Sequence, residues 1–210
     1  MLSDLKYRLL QRLPWSPVIV NASRKIPTLY LTFDDGPFSE HTENLLSLLQ
    51  QHDINASFFC IGRNIKQNPL IVQRIADEGH LIGNHSFNHS QFSALSLKKQ
   101  FIEVEMTNAA LSDITGEECS FFRFPKGRLS VGLLLKLWQR STRIIHWSYD
   151  SHDYKSSSAE MIVERLTKKP VKNGDILLFH DDNSMSVAAL DQLIPIWKSS
   201  GFNFSRVSDI

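Results

Sequence analysis

The chain has 210 residues, 42% of them hydrophobic, which suits one domain with a sizeable core and is too short for two. Its 23 basic and 22 acidic side chains nearly cancel, so no charge field draws it to nucleic acid. No window approaches the ~20 apolar residues of a membrane span, and the two cysteines, Cys60 and Cys119, sit on separate apolar stretches and read as buried thiols.

Residues 1–13 carry Lys6, Arg8 and Arg12 among apolar side chains, the pattern of a short amphipathic helix. Such a helix either packs on the domain or lies weakly on a membrane surface. The apolar run from Pro14 to Val20 is short, broken by Pro17 and preceded by Asp4, a poor match to a signal peptide. The cytoplasm is therefore the expected location, with at most peripheral membrane contact. Residues 1–25 are read as an N-terminal extension and 26–210 as the single catalytic domain. Beyond Pro27 the periodicity predicts strands near 28–33, 56–61, 80–84, 120–124, 143–149, 175–180 and 202–207. Helices are predicted near 40–52, 69–78, 96–114, 130–140, 158–168 and 185–199, with Gly79, Gly116 and Gly201 where helices should stop. Seven strands alternating with helices indicate a parallel α/β architecture, open or closed into a barrel.

Chemistry in such folds collects at the carboxyl ends of the strands. Asp34 and Asp35 follow the first strand, and His85 and His89 the third. Arg123 follows Ser120-Phe121-Phe122, Asp150 and Asp153 follow the fifth strand, and His180-Asp181 ends the sixth. Two histidines four apart plus one carboxylate form a facial ligand set with open positions, the form of a catalytic rather than a structural metal site. Metalloproteases carry their base between the histidines. Here Ser86-Phe87-Asn88 intervene, so a base must come from elsewhere, and an Asp beside an Asp supplies one. On the residues alone, other readings stand. The aspartates make an Asx-turn ahead of Gly36-Pro37, the histidines are satisfied core residues, Arg123 is a surface ion pair, or His180-Asp181 precedes a helix cap. His41, His52, His80, His146 and His152 are read as bystanders. Trp147, Tyr149 and Phe124 suit either an apolar face of a site or the core.

Over residues 26–207 the chain resembles the polysaccharide deacetylases with the nodulation-type (NodB) homology domain, carbohydrate esterase family four. That family has five ordered motifs. They correspond here to Thr32-Phe33-Asp34-Asp35-Gly36-Pro37, His85-Ser86-Phe87-Asn88-His89, Arg123-Phe124-Pro125-Lys126-Gly127, Asp150-Ser151-His152-Asp153-Tyr154 and Leu178-Phe179-His180-Asp181. The resemblance implies an α/β, deformed (β/α)7-type barrel and metal-dependent hydrolysis of N-acetyl groups on N-acetylated sugars. Asp35, His85 and His89 would hold a divalent ion, Zn²⁺ first and Co²⁺ as an alternative. Asp34 would be the general base toward the attacking water, and His180 the general acid toward the departing amine. Asp153 would orient His180, and Arg123 would pair with Asp34. The backbone N–H at Lys126 would face the oxyanion, Leu178 the acetyl methyl, and Tyr154 the groove wall. Lys126 and Tyr154 replace an aromatic residue and a Trp of the family pattern, and Lys126 invites an anionic group on the substrate. The expected partner is a GlcNAc-containing oligosaccharide or glycan intermediate, inside the cell rather than in wall peptidoglycan. O-deacetylation, deformylation, a non-haem iron oxygenase and a glycan-binding protein without turnover are the competing functions.

Overall fold

The computed structural model describes residues 2–210. In chain order the elements begin with α1 (Leu2–Gln11), β1 (Val18–Ile19), β2 (Thr28–Asp34), α2 (Ser39–Gln51), β3 (Ser57–Cys60), α3 (Gly62–Gln67), α4 (Pro69–Asp77) and β4 (Leu81–Asn84). They continue with α5 (Leu97–Thr115), β5 (Phe121–Phe122), α6 (Val131–Trp138), β6 (Arg143–Ile145), β7 (Tyr149–Asp150), α7 (Ala159–Lys168), β8 (Ile176–His180), α8 (Ser184–Ser199) and β9 (Asn203–Phe204). Every residue of β2 is buried, as required of a parallel strand covered on both faces. Leu29, Leu31 and Phe33 enter the main core with Phe58 of β3, Phe179 of β8 and the inward sides of α2, α7 and α8. A second cluster joins Tyr7 of α1 to Phe122, Phe124 and Leu133.

The strands are parallel in the order β1-β6-β5-β4-β3-β2-β8-β7, with β9 beside β2. An isolated bridge between Asn21 and Asp175 ties the chain beyond β1 to the base of β8, so the sheet curls back on itself as a deformed (β/α)7 barrel. The strand predicted over 143–149 divides. Its first half pairs with β5 and β1 and its second with β8, and His146, Trp147 and Ser148 turn between them. The two-residue β1 and the six-residue α3 were not predicted, because neither is long enough to display a period. The strand expected over 202–207 shortens to β9 and a 3-10 turn at Val207–Asp209. Cys60 and Cys119 are free thiols. Among the described residues, no helix is long and apolar enough to cross a membrane.

Candidate active site

β2 lies between β3 and β8, and register places Asp34 directly beside His180 of β8 and Phe59 of β3. Consecutive side chains diverge to opposite sides only on an extended backbone. Asp35 is not extended. Its φ of 78° swings the chain out of the strand, and both carboxylates line the same cavity. The following glycine is required. A Cβ on Gly36 would lie 2.1 Å from Oδ2 of buried Asp181. Ser86, His89 and Lys126 also have positive φ, and left-handed non-glycine residues gathered at one rim mark backbone held in place for a function.

His85 and His89 follow β4. Nε2 of His85 and of His89 lie 3.6 and 3.4 Å from Asp35 Oδ1, and one donor atom from each of the three residues fits within 4.8 Å of the others. Nδ1 of His85 is 2.9 Å from the Arg123 carbonyl oxygen. A carbonyl only accepts, so Nδ1 carries the hydrogen and Nε2 presents its lone pair to the carboxylates. Burial holds both imidazoles below the ordinary histidine pKa and pushes Asp35 up. Asp35 Oδ1 is buried with no hydrogen-bond partner. Two neutral imidazole nitrogens around a partnerless carboxylate oxygen are the donor set that a divalent cation fits.

Asp34 is held separately. Oδ1 accepts from Arg123 Nη1 at 2.6 Å, and Oδ2 lies 3.6 Å from His85 Nε2. Arg123 is 1% exposed. It also donates to Thr32 Oγ1 and to the Ile145 carbonyl, and its guanidinium stacks 4.1 Å over the Phe59 ring. An arginine bonded on this many sides points its carboxylate partner in one direction.

Across the cavity, His180 Nδ1 lies 2.8 Å from Asp153 Oδ1. Asp153 Oδ2 accepts from the His180 backbone N–H and from Ser186 Oγ. Burial opposes charge on His180, yet the hydrogen bond and charge of Asp153, assisted by Asp34 and Asp35, raise it to about 9. Burial also opposes ionised Asp153, but its bonds to His180 and Ser186 hold it below the usual carboxylate range. The pair is an ion pair, with His180 Nε2 left to meet a substrate.

The cavity is about 360 Å³, and Asp34, Asp35, His85, His89, Lys126, Leu178, Tyr154 and His180 all line it. Asp153 and Arg123 stand behind the wall and reach it through His180 and Asp34. Trp147 lines the cavity too, whereas Tyr149 and Phe124 are core. Asp182 at the rim, Thr32 on Arg123 and Ser186 on Asp153 were missed by sequence reasoning. Only Thr32 gave a signal, as a polar residue inside an apolar strand. A larger cavity of about 610 Å³ lies at the amino ends of β4 and β5 and contains none of these groups.

The family model for polysaccharide deacetylases matches residues 21–140. A peptidoglycan-N-acetylglucosamine deacetylase of Bacillus cereus is 35% identical over 178 residues, covering 83% of this chain, and the chain spans only 64% of that relative's length. Among solved structures, a peptidoglycan N-acetylglucosamine deacetylase in complex with 4-naphthalen-1-yl-N-oxidanyl-benzamide superposes with a TM-score of 0.87 at 31% identity, covering 90% of both chains. A CE4 family pseudoenzyme from Bacillus anthracis superposes with a TM-score of 0.86 at 25% identity, covering 95% of this chain and 70% of its own. Sequence, fold and comparisons agree: the chain belongs to the polysaccharide deacetylase family.

Proposed function

We propose that the protein is a metal-dependent hydrolase that removes N-acetyl groups from N-acetylated sugars in a glycan. The reading is carried by one observation, that a facial Asp-His-His donor set is flanked by a carboxylate on one side and a charged imidazole on the other in a single cavity. Binding alone needs no such acid and base, which separates this site from a turnover-free glycan binder. The names of the relatives make N-acetylglucosamine in peptidoglycan the first substrate to test.

Asp35, His85 and His89 would hold the cation, which supplies Lewis acidity by lowering the pKa of a water and polarising the acetamide carbonyl. Asp34 Oδ2, the oxygen that Arg123 leaves open, takes the proton of the attacking water. The backbone N–H of Lys126 donates to the developing oxyanion. His180 Nε2 gives its proton to the amine nitrogen as the C–N bond breaks, because a free amide anion is a very poor leaving group. Asp153 stabilises the imidazolium until that transfer. Leu178 receives the acetyl methyl, and Trp147 and Tyr154 present aromatic faces to the sugar ring.

The test is acetate release from chitooligosaccharides and from peptidoglycan, using protein stripped of metal and then reloaded with Zn²⁺ or Co²⁺. Acetate appears only after reloading, and an acetylated-ester or N-formyl panel reports the competing hydrolases. Asp34→Asn keeps its metal and loses about 10²–10⁴-fold in turnover, the usual contribution of a general base, while His85→Ala loses the metal. Metal loss in Asp34→Asn would reverse the roles of the two aspartates, and absence of metal binding in the parent chain would remove the proposal.

A further inference from the structure

Helix α1 is apolar on two opposite faces. The inner face is fastened to the barrel. Tyr7 is 1% exposed and its ring stacks 3.9 Å from that of His146. Asp4 Oδ1 lies 3.3 Å from His146 Nε2, Gln11 Oε1 accepts from the backbone N–H of Val20 and Asn21, and Leu10 packs on the cluster holding Val18 and Phe124. The outer surface therefore belongs to a docked helix and not to a detached end.

That outer surface carries Leu5 and Leu9, four apart and so aligned along the helix, each 54% exposed, and Leu13 follows two residues past the helix end at 56%. Trp15 follows at 90% exposure, in a left-handed conformation with φ 64°. Single exposed leucines are ordinary. Two aligned leucines continued by Leu13 and a tryptophan just past the end of a helix that already buries a separate apolar face are not something folding requires. Lys6, Arg8 and Arg12 are exposed. At about 100° per residue, Lys6 falls on one side of Leu5 and Leu9 and Arg8 on the other, and Arg12 follows directly after the last residue of the helix.

We propose that this face docks α1 flat on an anionic phospholipid bilayer. The leucines enter the acyl boundary, Trp15 takes the interfacial position that indole prefers, and the three cations meet lipid phosphates. Charge decides the occupant. A second copy of the chain would bring the same cations face to face, whereas an anionic surface complements them. Because Tyr7, Asp4 and Gln11 hold the inner face, the barrel is carried to the surface in one orientation. The inference is independent of the proposed deacetylation.

The test is co-sedimentation of the full chain with vesicles of phosphatidylcholine alone and of phosphatidylcholine with an equal part of phosphatidylglycerol. Binding is expected only to the anionic vesicles and falls as salt is raised. Each of Lys6→Gln, Arg8→Gln and Arg12→Gln weakens it about fivefold. Combining Leu5→Gln, Leu9→Gln and Leu13→Gln abolishes it, with circular dichroism confirming that the barrel is intact. If that combination unfolds the protein, the three charge variants decide alone. No binding by the parent chain, or undiminished binding by the variants, overturns the proposal. A concentration-dependent dimer that the leucine variant dissolves, without vesicle binding, assigns the face to a second copy and overturns it equally.

Discussion

His85 and His180 are the same residue type put to two uses by what their Nδ1 atoms meet. Burial keeps His85 neutral and a backbone carbonyl at 2.9 Å puts its hydrogen on Nδ1, leaving a free Nε2 lone pair, while a buried carboxylate at 2.8 Å keeps His180 charged. In metal-free protein the ring proton NMR titration of His180 should have its midpoint near 9, above the ordinary 6.5. Deprotonation comes as pH rises through that midpoint, so any activity needing a proton on this ring falls on the alkaline side, and a nearby divalent cation moves the fall to lower pH. Asp153→Asn removes the charge that raises the midpoint, which should drop by more than one unit. An unmoved midpoint would detach Asp153 from His180. Asp34, Asp35, His85, His89, Arg123, Asp153 and His180 were legible as titratable candidates at strand ends, whereas Lys126, Leu178 and Tyr154 came only with the family resemblance. Thr32 and Ser186 were not, because each acts on another side chain across the fold, a relation that no local spacing encodes.

Elements matter here mainly through where they start and stop. Helix α8 begins at Asn183, whose side chain accepts from the N–H groups of Met185 and Ser186. That cap fixes the first turn, and the first turn carries the hydroxyl that Asp153 accepts from. Asn183→Ala should therefore cost about 1 kcal/mol in urea unfolding, as lost caps usually do, while leaving the Asp35-His85-His89 donor set and its metal content intact. A stability change within error would mean that Ser184 or water takes over the cap. The long elements were read closely from sequence. α5 was expected over 96–114 and forms at Leu97–Thr115, capped by Ser96 and ended by left-handed Gly116. The failures were β1, α3 and the divided strand at 143–150. There, pairing partners far along the chain decide where a strand stops, and only Trp147 turning toward the cavity makes the break useful.

Across the whole molecule, buried ionisable groups set the pH range of the fold. Burial holds His80 and His146 near 4, below the ordinary 6.5, and His80 Nδ1 accepts the Ala56 N–H only while unprotonated. The unfolded chain binds these two protons first, so their stabilisation is complete above pH 6.5 and disappears as pH falls toward 4. Asp181, raised to about 7 by burial, acts in the opposite sense over 3.8 to 7, and one carboxyl does not outweigh two imidazoles. The Tm should thus be lower at pH 5 than at pH 7, and His80→Gln should narrow the gap. A Tm independent of pH over that interval would contradict the burial of these rings. One further consequence comes from the pairing of Asp34 with His180. Neighbouring strands in a sheet stand about 4.8 Å apart whatever their loops do, so the backbone spacing between Asp34 and His180 is a lattice constant of the barrel. His85 is held by the same ladder, its N–H bonded to the Cys60 carbonyl at 3.0 Å, whereas His89 lies beyond it on the loop. The site thus has a part that lasts as long as the fold and a part, around His89, that the loop can retune, and divergence within such a scaffold can shift His89 without disturbing the span from Asp34 to His180.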